Sequence, residues 1–389
     1  MVNNFTFCTP TKVHFGKGVL KELHNEVTAV GTKVLLVYGG SSIKRSGLYD
    51  QVKGQLADCT IFECGGVEPN PRITSVRQGV EICKKEGVEV VLAVGGGSVL
   101  DCAKAICAGA LYEGDAWDLV LAPSKITKAL PLITVLTLAA TGSEFDSASV
   151  ISNLETKEKI GFLSPFVYPK VSILDPEYTY SVPANQISAG AADIMSHIYE
   201  QYMCTESNLI SDGMCETVLR TIIECAPRLL KDPKDYDARA QMMWASSLAC
   251  NGFCSLGNGV RPWPCHAMEH ELSAFYDITH GVGLAILTPE LMRYSLNEDT
   301  VERYCHYGKA VFDLPEESDR MAMAKKAIDK TEEFFTSINL PNSLKALGIG
   351  EEHIDEMAQH AFDFNGAFHL CPRPLDVEDI KQIYRNCLK

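Results

Sequence analysis

The chain has 389 residues, 46% apolar and 22% charged, with a formal net charge of −15 and a pI of about 5.2. That acidity argues against nucleic acid or an anionic membrane surface as main partner, while leaving room for a local basic pocket that takes a phosphate. At about 150 residues per domain the length predicts two or three domains, with core enough to fold without staples.

The opening stretch, "MVNNFTFCTPTKVHFGKG", has no apolar run behind a basic start, so no signal peptide is read. "KVLLVYGG" (33–40) is a β-branched run ending in glycines, followed by helical spacing in "LYDQVKGQLAD" (48–58) and a second short run, "CTIFECGG" (59–66). "TSVRQGVEICKKEG" (74–87) reads as a helix that stops at Gly87. "VEVVLAVGGGS" (88–98) is a strand breaking into glycines, and "SVLDCAKAICAGAL" (98–111) a helix with Ser98 as its expected N-cap. "LPLITVLTLAATGSE" (130–144) is a nearly continuous apolar strand, too short to cross a bilayer, which needs about 20 residues. Apolar strands between helices suit a parallel sheet buried on both faces. The strand signal ends in "KVSILDPEYTYSVP" (170–183). Beyond it the period is helical over 184–206, 211–230, 235–256, 265–276, 283–296, 298–312, 319–338, 350–365 and 376–388. The reading is an α/β domain followed by an all-α domain. Fifteen scattered cysteines without a C-x-x-C pair read as free, mostly buried thiols of a reducing compartment, so a cytoplasmic protein is expected.

Three strand ends carry glycines or hydroxyls. Gly95, Gly96 and Gly97 lie between a strand and a helix, where the backbone can approach an anion and free N–H groups can bind it. "VYGGSSIKRSG" (37–47) has Gly39, Gly40, Ser41 and Ser42 where NAD-binding folds often place an acid on the ribose, and Lys44 and Arg45 follow. No carboxylate there would repel a 2′-phosphate, so NADP(H) is expected over NAD(H). Thr137, Thr141 and Ser143 lie beyond a third strand. Each turn alone could be a plain tight turn; three on one sheet edge point to a dinucleotide.

The histidines carry the second signal. Asp193 and His197 stand four apart, as do His266 and His270, and His280 follows. On helices this spacing puts each pair on one face. Asp193, His197 and two of the three later histidines would give an oxygen-and-imidazole set suited to Zn²⁺ or Fe²⁺.

Together "GVEPNP" (66–71), "AVGGGSVLDCAKA" (93–105), "LTLAATGSE" (136–144), "ADIMSH" (192–197) and "HAMEHELSAFYDITHGVGLAILTP" (266–289) strongly resemble the iron-containing (group III) alcohol dehydrogenase family. Within it they are most similar to the branch of bacterial butanol dehydrogenases and broad aldehyde reductases. The resemblance runs from about residue 5 to the C-terminus. It implies a dehydroquinate synthase-like architecture, with a Rossmann-like dinucleotide-binding domain over 1–182 and an all-helical metal-binding domain over 183–389. It implies Asp193, His197, His266 and His280 as ligands of one divalent metal, and His270 as a nearby residue of the reaction. Its cofactor contacts fall on Gly39, Gly40, Ser42, Asn70, Gly96, Gly97, Ser98, Asp101, Thr137, Thr141 and Lys159. Two features depart from the family or vary within it. "NGVRPWPCH" (258–266) sets Pro262, Pro264 and an oxidation-sensitive Cys265 before the first later ligand, and Asp146 stands at a variable position.

The implied activity is reversible reduction of a small aldehyde by a nicotinamide cofactor, in a homodimer without nucleic-acid or membrane partners. A glycerol or lactaldehyde dehydrogenase of the same fold is the alternative within the family. A metallohydrolase with Glu269 or Glu271 as base would explain the histidines and leave the glycine turns unused, and a non-catalytic metal protein comes last.

Overall fold

The computed structural model describes residues 2–203, 206–259, 264–364 and 368–389. Its chain divides into two units. One contains Cys8–Pro183 and Pro233–Asn251; the other contains Met1–Phe7, Ala184–Asp232 and Gly252–Lys389.

The first unit is α/β. Its strands are β1 (Lys12–Phe15), β2 (Lys33–Tyr38), β3 (Thr60–Cys64), β4 (Val90–Gly95), β5 (Leu132–Leu136), β6 (Ala148–Asn153), β7 (Glu158–Leu163) and β8 (Val171–Leu174). Six of them form one sheet in the order β1-β8-β5-β4-β2-β3, every pair parallel. Alternate residues explain the continuous apolar runs. In β2, Leu35 and Val37 enter one core cluster while Val34, Leu36 and Tyr38 enter another; in β4, Val91 and Ala93 oppose Val90, Leu92 and Val94 in the same way. Both faces are covered, so neither can be polar.

The order places β2 between β3 and β4. The chain leaves β2 in one direction, to β3, and returns on its other side, as β4. This is a topological switch point, where connections diverge and leave a crevice outside the carboxyl ends of the strands. The helix Gly97–Gly109 follows β4, and its cap is Gly96 in extended backbone, not Ser98, which lies within the first turn. A glycine cap leaves the approach to the first N–H groups free of a side chain.

Two strands that the periodicity does not predict form a separate antiparallel hairpin, β6 with β7. Each is only partly buried, and the connecting turn holds Lys157 at a φ of 55° in place of the glycine that would advertise it. Edge strand β1 is four residues long and half-buried, which hides it equally well.

The division also departs from a single cut at 182/183. The helix Tyr236–Cys250 belongs to the α/β unit: Trp244 packs edge-on against Phe15, Met243 joins the sheet's core, and Ser247 Oγ lies 2.5 Å from Glu144 Oε1. Helical period records a helix, not the side on which it packs. At the other end Asn3 N donates to Gly257 O, and Phe7 meets Phe253 at 5.4 Å, so residues 2–7 join the helical unit.

The helical unit is built from Ala184–Tyr202, Leu209–Lys231, Cys265–Tyr276, His280–Ser295, Val301–Phe312, Arg320–Ser337, Ile354–Phe364 and Val377–Asn386. A Cβ on Gly281 would stand 2.0 Å from the Ala189 carbonyl oxygen, so only glycine lets the helix His280–Ser295 approach Ala184–Tyr202 this closely. Among the described residues no helix is long and apolar enough to cross a membrane.

Candidate metal centre and dinucleotide cleft

Three helices of the helical unit assemble the candidate metal centre. Asp193 and His197 come one turn apart from Ala184–Tyr202, His266 from the first turn of Cys265–Tyr276, and His280 opens the next helix. Asp193 Oδ1 lies 3.7 Å from His197 Nδ1, 3.5 Å from His266 Nε2 and 3.7 Å from His280 Nε2. The rings of His197 and His266 stack at 4.5 Å, and those of His266 and His280 are 5.1 Å apart.

Asp193 Oδ1, His197 Nδ1 and His266 Nε2 are buried without a hydrogen-bond partner. Buried polar atoms are nearly always satisfied, so an orphaned Asp193 Oδ1 with orphaned His197 Nδ1 and His266 Nε2 within 3.7 Å of it offers a place for an ion. One ligand atom each from Asp193, His266 and His280 lies within 4.8 Å of the others, and His197 Nδ1 joins this group through Asp193 Oδ1, 3.7 Å away. One carboxylate and three imidazoles suit Zn²⁺ or Fe²⁺. The residues fit the metal that the sequence implies.

The electrostatics agree. Burial opposes the charge of Asp193, but the surrounding imidazoles of His197, His266 and His280 overcome it and hold the carboxyl well below the usual carboxylate range. Burial lowers His197 to about 4, keeping it neutral and ready to ligate. Burial also works against a charge on His266, yet Glu200 and Asp193 together raise it to about 10. A metal there must displace a proton.

Two further carboxylates contact the rings. Glu200 Oε1 lies 2.7 Å from His266 Nδ1, and Glu269 Oε2 hydrogen-bonds His280 Nδ1. Spacing in the sequence does not single out Glu200, seven residues after Asp193, and it offers Glu269 only as a hydrolytic base. In the fold both Glu269 oxygens are engaged, Oε1 by Ser273 Oγ and Oε2 by His280, which removes it from that role. Glu271 is also buried, with Oε2 3.6 Å from His360 Nδ1. His270 lies beside the centre, its ring 5.7 Å from His280 and 6.3 Å from His266. Cys265 is fully buried, 3.4 Å from Thr288 Oγ1, and burial pushes its thiol up to about 12. It is therefore a poor target for oxidation, contrary to the expectation from sequence. Pro264 caps the Cys265–Tyr276 helix, whereas Pro262 lies outside the described residues.

In the α/β unit a cleft opens at the switch point, lined by Gly39 and Ser42 after β2, Gly95 and Gly96 after β4, and Thr137 after β5. Four of the expected cofactor residues, Gly39, Ser42, Gly96 and Thr137, thus share one cavity. Gly40 is exposed next to Gly39, and Ser98 follows Gly97 in the first helical turn. Gly97 packs on Thr141, where a Cβ would come within 2.4 Å of that side chain.

Asp101, Asn70 and Lys159 do not line the cleft. Asp101 receives Ser143 Oγ at 2.6 Å and Val150 N at 2.9 Å, and its backbone carbonyl accepts Ser149 Oγ. Its carboxylate ties the hairpin to the helix. Asn70 is buried in a left-handed conformation, φ 51°, ahead of the helix Ile73–Glu86, a backbone state that asparagine tolerates. Lys159 is buried in β7 opposite Ser152. Asp146 Oδ1 is 2.6 Å from the buried Lys104 ammonium.

A parallel sheet with a glycine-lined switch point, together with a histidine-carboxylate cluster on a helical unit, is what a metal- and dinucleotide-dependent oxidoreductase requires. The comparisons make the class specific. The model of the iron-containing alcohol dehydrogenase family matches residues 10–176, and that of the Fe-containing alcohol dehydrogenase family, C-terminal, matches 187–388. The chain belongs to this family, and its activity is that of an NAD(P)H-linked alcohol dehydrogenase and aldehyde reductase. It is 49% identical to NADH-dependent butanol dehydrogenase A of Clostridium acetobutylicum, over 98% of this chain and 99% of that protein. It is 38% identical to the NADPH-dependent aldehyde reductase YqhD of Escherichia coli, over 90% of each. The crystal structure of NADH-dependent butanol dehydrogenase A from Thermotoga maritima superposes with a TM-score of 0.95 at 41% identity, covering 100% of this chain and 99% of that one.

Proposed function

We propose that the protein reduces small to medium straight-chain aldehydes to alcohols, with NADP(H) preferred over NAD(H) and one Fe²⁺ or Zn²⁺ held by Asp193, His197, His266 and His280. The observation that carries the metal chemistry is the approach of His197, His266 and His280 to one buried carboxylate oxygen, Asp193 Oδ1, within 3.7 Å. The metal supplies Lewis-acid polarisation of a carbonyl oxygen, and the nicotinamide supplies the hydride.

The residues of this chain do the rest. Gly39 and Gly96 let a dinucleotide approach the backbone at the switch point, and the start of the helix Gly97–Gly109 offers N–H groups to its pyrophosphate. Thr137 adds a hydroxyl to the same cleft. The reduced oxygen must take up a proton, and His270 sets a titratable ring beside His280 for that relay.

The preference for NADP(H) rests on the end of β2. Gly39, Gly40, Ser41 and Ser42 put no carboxylate there, and two cations follow. Lys44 Nζ lies 4.9 Å from the ring centres of Tyr38 and Tyr49, and Arg45 hydrogen-bonds Ser41 Oγ. The names of the relatives divide on this point, NADH for the butanol dehydrogenases and NADPH for the aldehyde reductase. A homodimer fits the family resemblance and the prevalence of symmetric homo-oligomers. The free thiols of the described cysteines fit a reducing, cytoplasmic setting.

The test follows absorbance at 340 nm with butanal, comparing NADPH with NADH before and after chelation and metal add-back. Metal-dependent oxidation of NADPH faster than of NADH is the expected result. A clear preference for NADH overturns the reading of the β2 end and keeps the enzyme class. Full activity in chelator overturns the metal reading.

A further inference from the structure

Glu269 is fully buried on the helix Cys265–Tyr276, between the histidines of the site and one turn before Ser273. Its Oε2 hydrogen-bonds His280 Nδ1, and its Oε1 lies 2.5 Å from Ser273 Oγ, which also reaches the Ile278 carbonyl at 3.3 Å. The fold makes room for this carboxylate. A Cβ on Gly283 would stand 2.8 Å from Glu269 Cγ and 3.0 Å from Oε1, so the glycine one turn after His280 vacates the space. A buried carboxylate is costly unless it is paired and hydrogen-bonded, and here both oxygens are used.

We infer that Glu269 is a positioning residue for the metal: it holds His280 by its Nδ1–H, turns Nε2 toward Asp193, and so governs how tightly the ion is retained. The inference rests on the ligand set proposed above. The geometry gives the mechanism. An imidazole that donates from Nδ1 keeps its lone pair on Nε2, and a carboxylate behind the ring raises the basicity of that nitrogen. His280 Nε2 is 3.7 Å from Asp193 Oδ1, on the side of the ring away from Glu269. Ser273 steadies the carboxylate in turn.

The experiment measures the Zn²⁺ dissociation constant of the full chain by chelator competition, in the wild type, His280→Ala, Glu269→Ala and Glu269→Gln. Far-UV circular dichroism of the metal-free proteins reports on total helix content, and NADPH fluorescence on the dinucleotide-binding unit. Glu269→Ala is expected to weaken Zn²⁺ by about 10- to 100-fold, with helix content and NADPH binding unchanged. Glu269→Gln is expected to lose less, because its amide oxygen still accepts from Nδ1 while its NH₂ faces Ser273 Oγ. If His280→Ala loses Zn²⁺ but Glu269→Ala stays within about twofold of the wild type, this inference fails and the ligand set stands. If His280→Ala itself keeps Zn²⁺, the ligand set fails, and the inference with it. If Glu269→Ala loses helix content in the metal-free state, the residue supports the fold and not the metal.

Discussion

Glu144 in the α/β unit and Asp193 in the helical unit are both buried carboxylates, 0% and 3% exposed, yet their environments drive them in opposite directions. Burial pushes Glu144 up to about 7, only partly opposed by its hydrogen bond from Ser247, and pushes Asp101 up to about 6. Asp193 feels the same burial, but three imidazoles surround it and keep it charged. The difference lies in the partners, not in depth. The α/β unit uses its buried acids as ties, between the hairpin and a helix through Asp101 and between the segment after β5 and the helix Tyr236–Cys250 through Glu144. The helical unit keeps its carboxylate charged through the imidazoles gathered around it. The candidate ligand-binding surfaces divide in a related way: the cleft at the switch point combines glycine backbone and hydroxyls with apolar side chains such as Ile43, Val99 and Leu138, while the candidate metal centre is built of carboxylate and imidazole side chains.

Asp193→Asn tests the charged half most severely. The amide keeps the shape and loses the carboxylate charge. Metal content should fall and kcat drop by about 10³-fold or more, because Lewis-acid assistance is worth several kcal/mol. NADPH binding, which belongs to the other unit, should persist. Elemental analysis with nicotinamide fluorescence separates the two, and joint loss would show that the units do not bind independently.

His270→Ala should leave metal content intact and slow turnover by about 10²-fold, the usual scale for one acid-base group. Metal loss in that variant would instead make His270 a ligand.

Glu144 offers a test through stability. Its folded pKa lies above the value in the unfolded chain, so the folded state holds the proton more tightly. Its contribution is therefore favourable below a pH of about 4.5 and is lost as the pH rises through about 7. The loss should be on the order of 3 kcal/mol across that window. Urea denaturation at several pH values should show Glu144→Gln with a flatter profile than the wild type. An unchanged slope would mean that Glu144 stays charged in the fold, like Asp193.

The smallest effect belongs to the backbone surface. Gly96→Ala would place a Cβ 3.1 Å from Leu138 Cβ, at the cap of the helix that faces the cleft. KM for the nucleotide should rise about tenfold, equivalent to about 1.4 kcal/mol, with Zn²⁺ affinity unchanged. An unaltered KM would move the pyrophosphate away from this turn.

The strands β2, β4 and β5 were legible because burial on both faces leaves continuous apolar runs, and the glycines at their ends announce the turns. The pairs Asp193/His197 and His266/His270 were legible because four residues make one helical turn. The hairpin escaped because its short strands show no continuous apolar run and are joined without a glycine turn, and Ser98 does not cap the helix because Gly96 takes that position without a side chain.

What the sequence determined by itself was local: the period of each segment, the residues able to bind a metal, and through the quoted motifs the family. The tertiary structure alone decided which distant segments meet. It gave the helix Tyr236–Cys250 to the sheet through Trp244 and Ser247, set Glu200 behind His266, and turned Glu269 from a possible base into the partner of His280. The physical reason is range. Backbone periodicity is fixed by neighbours within one or two turns, whereas a buried carboxylate takes its role from groups that packing brings to it from elsewhere in the chain.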